Sequence, residues 1–155
     1  MVKRVLILAA LFAFGNPALA TTIAYDGKTV AFDSQRTCGH YKTWTNAKVT
    51  RIRGALVGCA GDVAEIMKFK AWYANPLLPF PGTKEIEVLV VEPNGKVYTY
   101  GDNPTKIEIS APCAIGSGGS IALGAIVAGK TAKEAVEIAA TQDIYTGGTI
   151  WVETP

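Results

Sequence analysis

The chain is 155 residues long, with 15 lysines and arginines against 13 aspartates and glutamates, and 49% of it is apolar. That length suits one domain of ordinary size with a real core. Two of the basic residues and none of the acidic ones fall in positions 1–20, leaving 13 against 13 in the rest. With no run of like charge and no aromatics interleaved with Lys/Arg, nothing in the composition points to nucleic acid as a partner.

Positions 1–20 have the three parts of an export leader. Lys3 and Arg4 form a basic start, residues 5–15 an apolar run, and Asn16-Pro17 a break before the small-residue site Ala18-Leu19-Ala20. An eleven-residue run is short of the roughly 20 needed to span a bilayer, so no stable membrane insertion is expected once the leader is gone. The expected organisation is a signal peptide or propeptide over 1–20, removed, and a single domain over 21–155. The protein would be exported, periplasmic or secreted; a cytoplasmic protein with a cleaved propeptide is the alternative. A cut after Ala20 leaves Thr21 with a free α-amine. A terminal threonine holds a nucleophile and its base in one residue, because the hydroxyl attacks and the amine, with a pKa of about 7.7–8.0, accepts the proton.

Beyond the leader, the pattern predicts strands over 22–25 and 29–33, joined by the hairpin signal Asp26-Gly27. A second pair, 48–53 and 55–60, turns at Gly54. Asp62 caps a helix running to about residue 73, with Val63, Ile66, Met67 and the stem of Lys70 on one face. Pro76, Pro79 and Pro81 end it in a loop over 75–83. Strands over 85–92 and 96–101 flank Asn94-Gly95. Residues 118–128 are apolar nearly all round, which predicts a helix buried between layers, with Gly129 as its C-terminal cap. Thr131-Ala-Lys-Glu134 has the form of a capping box, and its helix carries Ala132, Ala135, Val136 and Ala139 on one stripe. Gly147-Gly148 turns into a last strand over 149–153. Antiparallel hairpins beside adjacent helices predict a layered α+β domain.

The cysteines, Cys38, Cys59 and Cys113, permit one disulfide with one thiol left over, or three small buried hydrophobes. A single histidine, His40, and the lack of any Cys-x-x-Cys spacing give no metal site, and no cofactor is expected.

Four segments, taken in order, resemble the proteasome β-subunit and bacterial HslV family of N-terminal nucleophile (Ntn) hydrolases. They are Thr21-Thr22-Ile23; Val30-Ala-Phe-Asp33 with Lys48-Val-Thr-Arg-Ile52; Val57-Gly-Cys-Ala-Gly61-Asp62; and Ala114-Ile-Gly-Ser-Gly-Gly119 with Asp143-Ile-Tyr-Thr-Gly-Gly148. The resemblance implies a four-layer αββα sandwich, shortened in its first helical layer. It implies Thr21 as nucleophile with its own amine as base. Lys48 would sit beside it, lowering the amine pKa and stabilising the alkoxide. Asp33 would hold Lys48 charged. The Gly61 N–H would meet the oxyanion, and Ser117, Asp143 and Thr146 would orient the amine and pass protons. Cys59, with Gly58 beside it, falls where the family lines its first specificity pocket.

Each residue also has a plainer reading. Asp33 and Asp143 could close a strand and a helix. Lys48 could be a solvated strand lysine, with Lys42 as its competitor. Ser117 could be an N-cap, Gly58 and Gly61 bulge glycines, and Thr22 a structural residue pointing away from Thr21. The chain departs from the family in three further ways. Thr146 stands where many β subunits have serine. Ala20 stands where autoprocessing subunits have glycine, which favours signal peptidase. The region between Gly61 and Glu85 has room for one helix where the family has a longer pair that helps stack rings. The expected function is a threonine-type endopeptidase acting on peptides or unfolded proteins, as a homo-oligomer whose ring is open to question. An exported form would have no unfolding ATPase. An inactive proteasome-like scaffold or binding module, and an amidase for a small non-peptide amide, are the alternatives.

Overall fold

The computed structural model describes residues 20–155. Positions 1–19 of the expected leader lie outside the described residues. Strands β1 (Ile23–Tyr25) and β2 (Val30–Asp33) form the hairpin that Asp26-Gly27 predicts. Asp26 Oδ1 accepts from the N–H groups of Lys28 and Thr29, at 2.8 Å each, and so fixes the turn. A polar hairpin follows, β3 (Gln35–Cys38) with β4 (Tyr41–Trp44). Next come β5 (Val49–Ile52), β6 (Ala55–Gly61), helix α1 (Val63–Ala74), β7 (Ile86–Val91), β8 (Val97–Tyr100) and β9 (Lys106–Ile109). The chain ends with β10 (Cys113–Ile115), α2 (Gly119–Val127), α3 (Ala132–Gln142) and β11 (Ile150–Glu153).

Besides the β3-β4 pair, two larger antiparallel sheets form among the described residues, in the orders β10-β1-β2-β11 and β5-β6-β7-β8-β9. Side chains alternate between the faces of a strand, so each sheet has two faces to cover. Ile23, Tyr25, Val30 and Phe32 of the first sheet pack against Val49, Leu56, Leu89, Val91 and Val97 of the second. The residues in between point the other way. Ala24 and Ala31 meet Ala122 of α2 and the stripe Ala132, Ala135, Val136 and Ala139 of α3. Small residues on both sides let the helix backbone approach the sheet closely. On the far face of the second sheet, Val57, Cys59, Val88 and Val90 pack under Phe69 and Trp72 of α1. The near-continuous apolar runs of β6 and β7 follow from burial on both faces.

The capping box of α3 forms as predicted, and Asp62 caps α1 by accepting from Ala64 N (2.9 Å) and Glu65 N (3.0 Å). The core face of α1 is Phe69 and Trp72, while the predicted stripe with Val63 and Met67 looks away from the sheet, and Met67 is 67% exposed. The aromatic rings bury more area per residue and win the sheet face. Helix α2 is covered on one side only, through Gly119 and Ala122, while Val127 is 74% exposed. Cys38 is exposed, Cys59 buried and Cys113 partly buried, and all three are free thiols.

Candidate active site

Asp33, at the end of β2, is the hub. Its carboxylate is fully buried and accepts four hydrogen bonds. Oδ1 takes the Thr22 N–H (2.9 Å) and Lys48 Nζ (2.7 Å); Oδ2 takes the N–H groups of Gln35 (3.1 Å) and Gly147 (2.9 Å). One side chain thereby ties the entries of β1, β3 and β5 to the turn before β11. Lys48, also buried, faces two opposing effects. Burial pushes its ammonium below the usual lysine value, while the Asp33 charge and hydrogen bond work against that shift; burial prevails.

Thr21 immediately precedes β1 and is 2% exposed. Its N–H donates to Ser117 Oγ at 3.4 Å, and its carbonyl accepts from Gly118 N at 3.5 Å. Ser117 has one hydroxyl proton, and the partner at 2.5 Å is Asp143 Oδ2, a charged acceptor. The serine's lone pairs are then left for the Thr21 N–H. Thr146 also donates to Asp143 Oδ2 at 2.5 Å, so the 2.6 Å contact between Thr22 and Thr146 has the Thr22 hydroxyl as donor. Asp143 is the C-cap residue of α3, and Ser117 lies just before α2. The N-cap of α2 is Gly118, with no side-chain bond, so the plainer reading of Ser117 as a cap does not hold. The glycines around Ser117 make room for Thr21 and Thr22. A Cβ on Gly116 (φ +90°) would lie 2.1 Å from Thr21 O, and one on Gly118 would lie 2.1 Å from Thr22 Oγ1.

Thr21 and Lys48 border a cavity of about 280 Å³, with Cys59 and Gly61 from β6 and Val63, Ile66, Met67 and Lys70 from α1. The α1 face read from periodicity, Val63, Ile66, Met67 and Lys70, thus lines this opening. N–H groups along β6 alternate between its neighbours. Cys59 N donates to Lys48 O (3.3 Å) on the β5 side, and Asp62 N to Glu85 O (3.0 Å) on the β7 side. The alternation turns the Gly61 N–H to the β5 side, beyond the last residue of the β5 ladder, where the cavity opens. Gly61 has φ +125°, a conformation that favours glycine. Gly58 does not line the cavity; its α-carbon faces Ile23 and Val49 between the sheets.

Burial pushes the Cys59 thiol up to about 12 from about 9, and the nearby Lys70 ammonium only partly offsets this. The folded protein therefore holds that proton more tightly than the unfolded chain. The stability it contributes is full below pH 9 and is lost as pH rises from 9 towards 12. By about pH 10.5, roughly 2 kcal/mol of this contribution should be gone in the wild type and not in Cys59→Ala. Urea midpoints of both proteins at about pH 8 and 10.5 check this, and parallel falls would contradict it.

No protein-family profile and no curated protein sequence matches the chain. Solved structures do. Thiobacillus denitrificans BPH superposes with a TM-score of 0.65 at 20% identity, covering 86% of this chain and 97% of that one. Eukaryotic HslV from Trypanosoma brucei gives 0.59 at 23% identity, with the same coverage. The chain has a proteasome β-subunit/HslV-like Ntn fold. BPH in complex with epoxomicin superposes with a TM-score of 0.61 at 18% identity.

Within this HslV-like fold, Thr21, Lys48 and Gly61 line one cavity, Asp33 holds Lys48, and Ser117, Asp143 and Thr146 join by hydrogen bonds to Thr21 and Thr22, while Lys42 and His40 stay exposed. Sequence reasoning missed the bond between Thr22 and Thr146, although strand alternation did turn Thr22 away from Thr21. It also missed Arg36 and gave Lys70 only an apolar role; both line the cavity.

Proposed function

We propose that this chain is a threonine-type endopeptidase, with Thr21 as nucleophile and its own amine as base once residues 1–20 are removed. The observation that carries the reading is the convergence of two hydrogen-bonded groups of residues, joined through Thr22, on Thr21. The Asp33–Lys48 pair brings a buried cation to the cavity that Thr21 borders. The Ser117–Asp143–Thr146 network reaches Thr21 N. In this reading the amine takes the hydroxyl proton as Oγ1 attacks the carbonyl carbon, and the Lys48 charge favours both the unprotonated amine and the developing alkoxide. The Gly61 N–H meets the oxyanion. The amine then protonates the leaving nitrogen, and water releases the acyl group from Thr21 Oγ1. Ser117 orients the amine, with its own proton held by Asp143.

The three apolar clusters support reading the fold as a four-layer αββα sandwich, with α1 alone in one outer layer. The names of the superposed structures, BPH, its epoxomicin complex and HslV, support a peptidase acting on peptides or unfolded chains as a homo-oligomer. The leader pattern supports export, with signal peptidase as the source of the free amine and no ATPase partner.

The test is a set of three purified chains beginning at Ala20, Thr21 and Thr22. Each is treated with a peptide epoxyketone, which needs both the hydroxyl and the free amine of a terminal threonine to close its adduct. Intact mass should show one adduct on the Thr21-first chain and none on the Ala20-first chain. The Thr22-first chain should also stay unmodified, because Thr22 is held by Asp33 and Thr146. A Thr21-first chain that takes no adduct and cleaves no unfolded protein would overturn the proposal.

A further inference from the structure

We propose that the cavity beside Thr21 accepts a carboxylate side chain, so that hydrolysis occurs after glutamate or aspartate; this deepens the peptidase reading and rests on it. Among the described residues three cations line the cavity, Arg36, Lys48 and Lys70, and no aspartate or glutamate does. Of these three, Lys48 alone has a counter-charge among the described residues, in Asp33 at 2.7 Å.

Lys70 Nζ is held by neutral oxygens, the carbonyls of Ala47 (2.8 Å) and Lys48 (3.2 Å) and the hydroxyl of Thr50 (2.9 Å). These fix the ammonium at the cavity wall and leave its charge uncancelled. Arg36 makes no side-chain hydrogen bond and no ion pair among the described residues, so its planar fork of donors is unclaimed. The Arg36 charge helps to depress both the Lys70 and Lys48 ammonium groups, after burial as the main cause at each. Positions 1–20 hold no acidic residue that could neutralise the pair.

A substrate side chain entering here meets two uncompensated cations at an apolar wall of Ile66 and Met67. A carboxylate satisfies them, and arginine can take it through two parallel hydrogen bonds. A neutral apolar side chain would strip water from the cations and return nothing, and a basic one would be repelled. The chemistry is unchanged from that proposed above. One water is consumed per bond, and the released fragment ends in the acidic residue.

The protein beginning at Thr21 is assayed with fluorogenic peptides that differ only in the residue before the scissile bond: Glu, Gln, Leu or Arg. Glu and Gln have nearly the same shape, so their ratio isolates charge. We expect kcat/KM for Glu to exceed that for Gln by at least about tenfold at low salt, narrowing as ionic strength rises, with Arg slowest. Arg36→Gln should cut the Glu-to-Gln ratio at least about fivefold, and Lys70→Gln should cut it further. The wild-type ratio decides the matter even where a variant fails to fold. A ratio at or below one, with Leu or Gln turned over and Thr21 labelled by an epoxyketone, overturns this inference and leaves the peptidase reading standing. No turnover of any of the four peptides and no labelling overturns both.

Discussion

Asp33→Ala is expected to leave little folded protein. The substitution strands the Lys48 ammonium in a buried site and removes the acceptor from three N–H groups, those of Thr22 and Gln35, which are buried, and that of Gly147, which is half-buried. Breaking a buried pair from one side costs about 3–5 kcal/mol, and each orphaned donor adds about 1–3 kcal/mol. A domain of this size has about 5–15 kcal/mol in all. Lys48→Met is the informative contrast. It leaves the Asp33 carboxylate with its three N–H donors, and the methionine stem fills the space of the lysine. Its stability loss should be smaller by at least about 2 kcal/mol, a Tm gap of roughly 5–10 °C. Equal midpoints would mean that the three N–H bonds contribute nothing and that Asp33 is only the partner of Lys48.

Thr21→Ala, expressed so that the chain starts at residue 21, should lower kcat/KM on an unfolded-protein substrate to background, a loss of at least about 10³-fold. The fold should survive. The Thr21 side chain makes no hydrogen bond among the described residues, and its backbone bonds to Ser117 and Gly118 do not depend on the side chain. Circular dichroism and a melting curve within a few degrees of wild type would document this. A variant that kept more than a tenth of the activity would remove Thr21 from the mechanism.

What could be read in the sequence was local. Asp26-Gly27 and Asn94-Gly95 specify their hairpins with two residues each, and Thr131 with Glu134 makes a capping box within one turn. The strands β3, β4, β9 and β10 were not read. They are three or four residues long, mostly polar or half-exposed, and owe their place to pairing partners. The stripe of α1 read from periodicity exists, but periodicity finds stripes without saying what each one meets. Phe69 and Trp72 face the sheet, and the other stripe faces the cavity. Apart from Thr21, which the leader pattern singles out, the candidate site residues were legible only through resemblance, since no local rule joins Thr21 to Ser117, 96 positions away, or Lys48 to Asp33, 15 away. The Arg36 and Lys70 pair had no signal of its own, because a charge on a strand or helix usually points to solvent.

Thr21 is already buried and Thr22 already clamped to Asp33 and Thr146 while residue 20 still precedes them. Ala20 lies at the cavity without displacing any of these bonds. If Thr21 acts as proposed, the bond between Ala20 and Thr21 is what keeps its amine from serving as base. Among the described residues the bonds around Thr21 and Thr22 are in place with Ala20 still attached, so in the proposed reading the cut need not build the site. The appearance of activity would follow the cleaving agent alone, turnover for turnover.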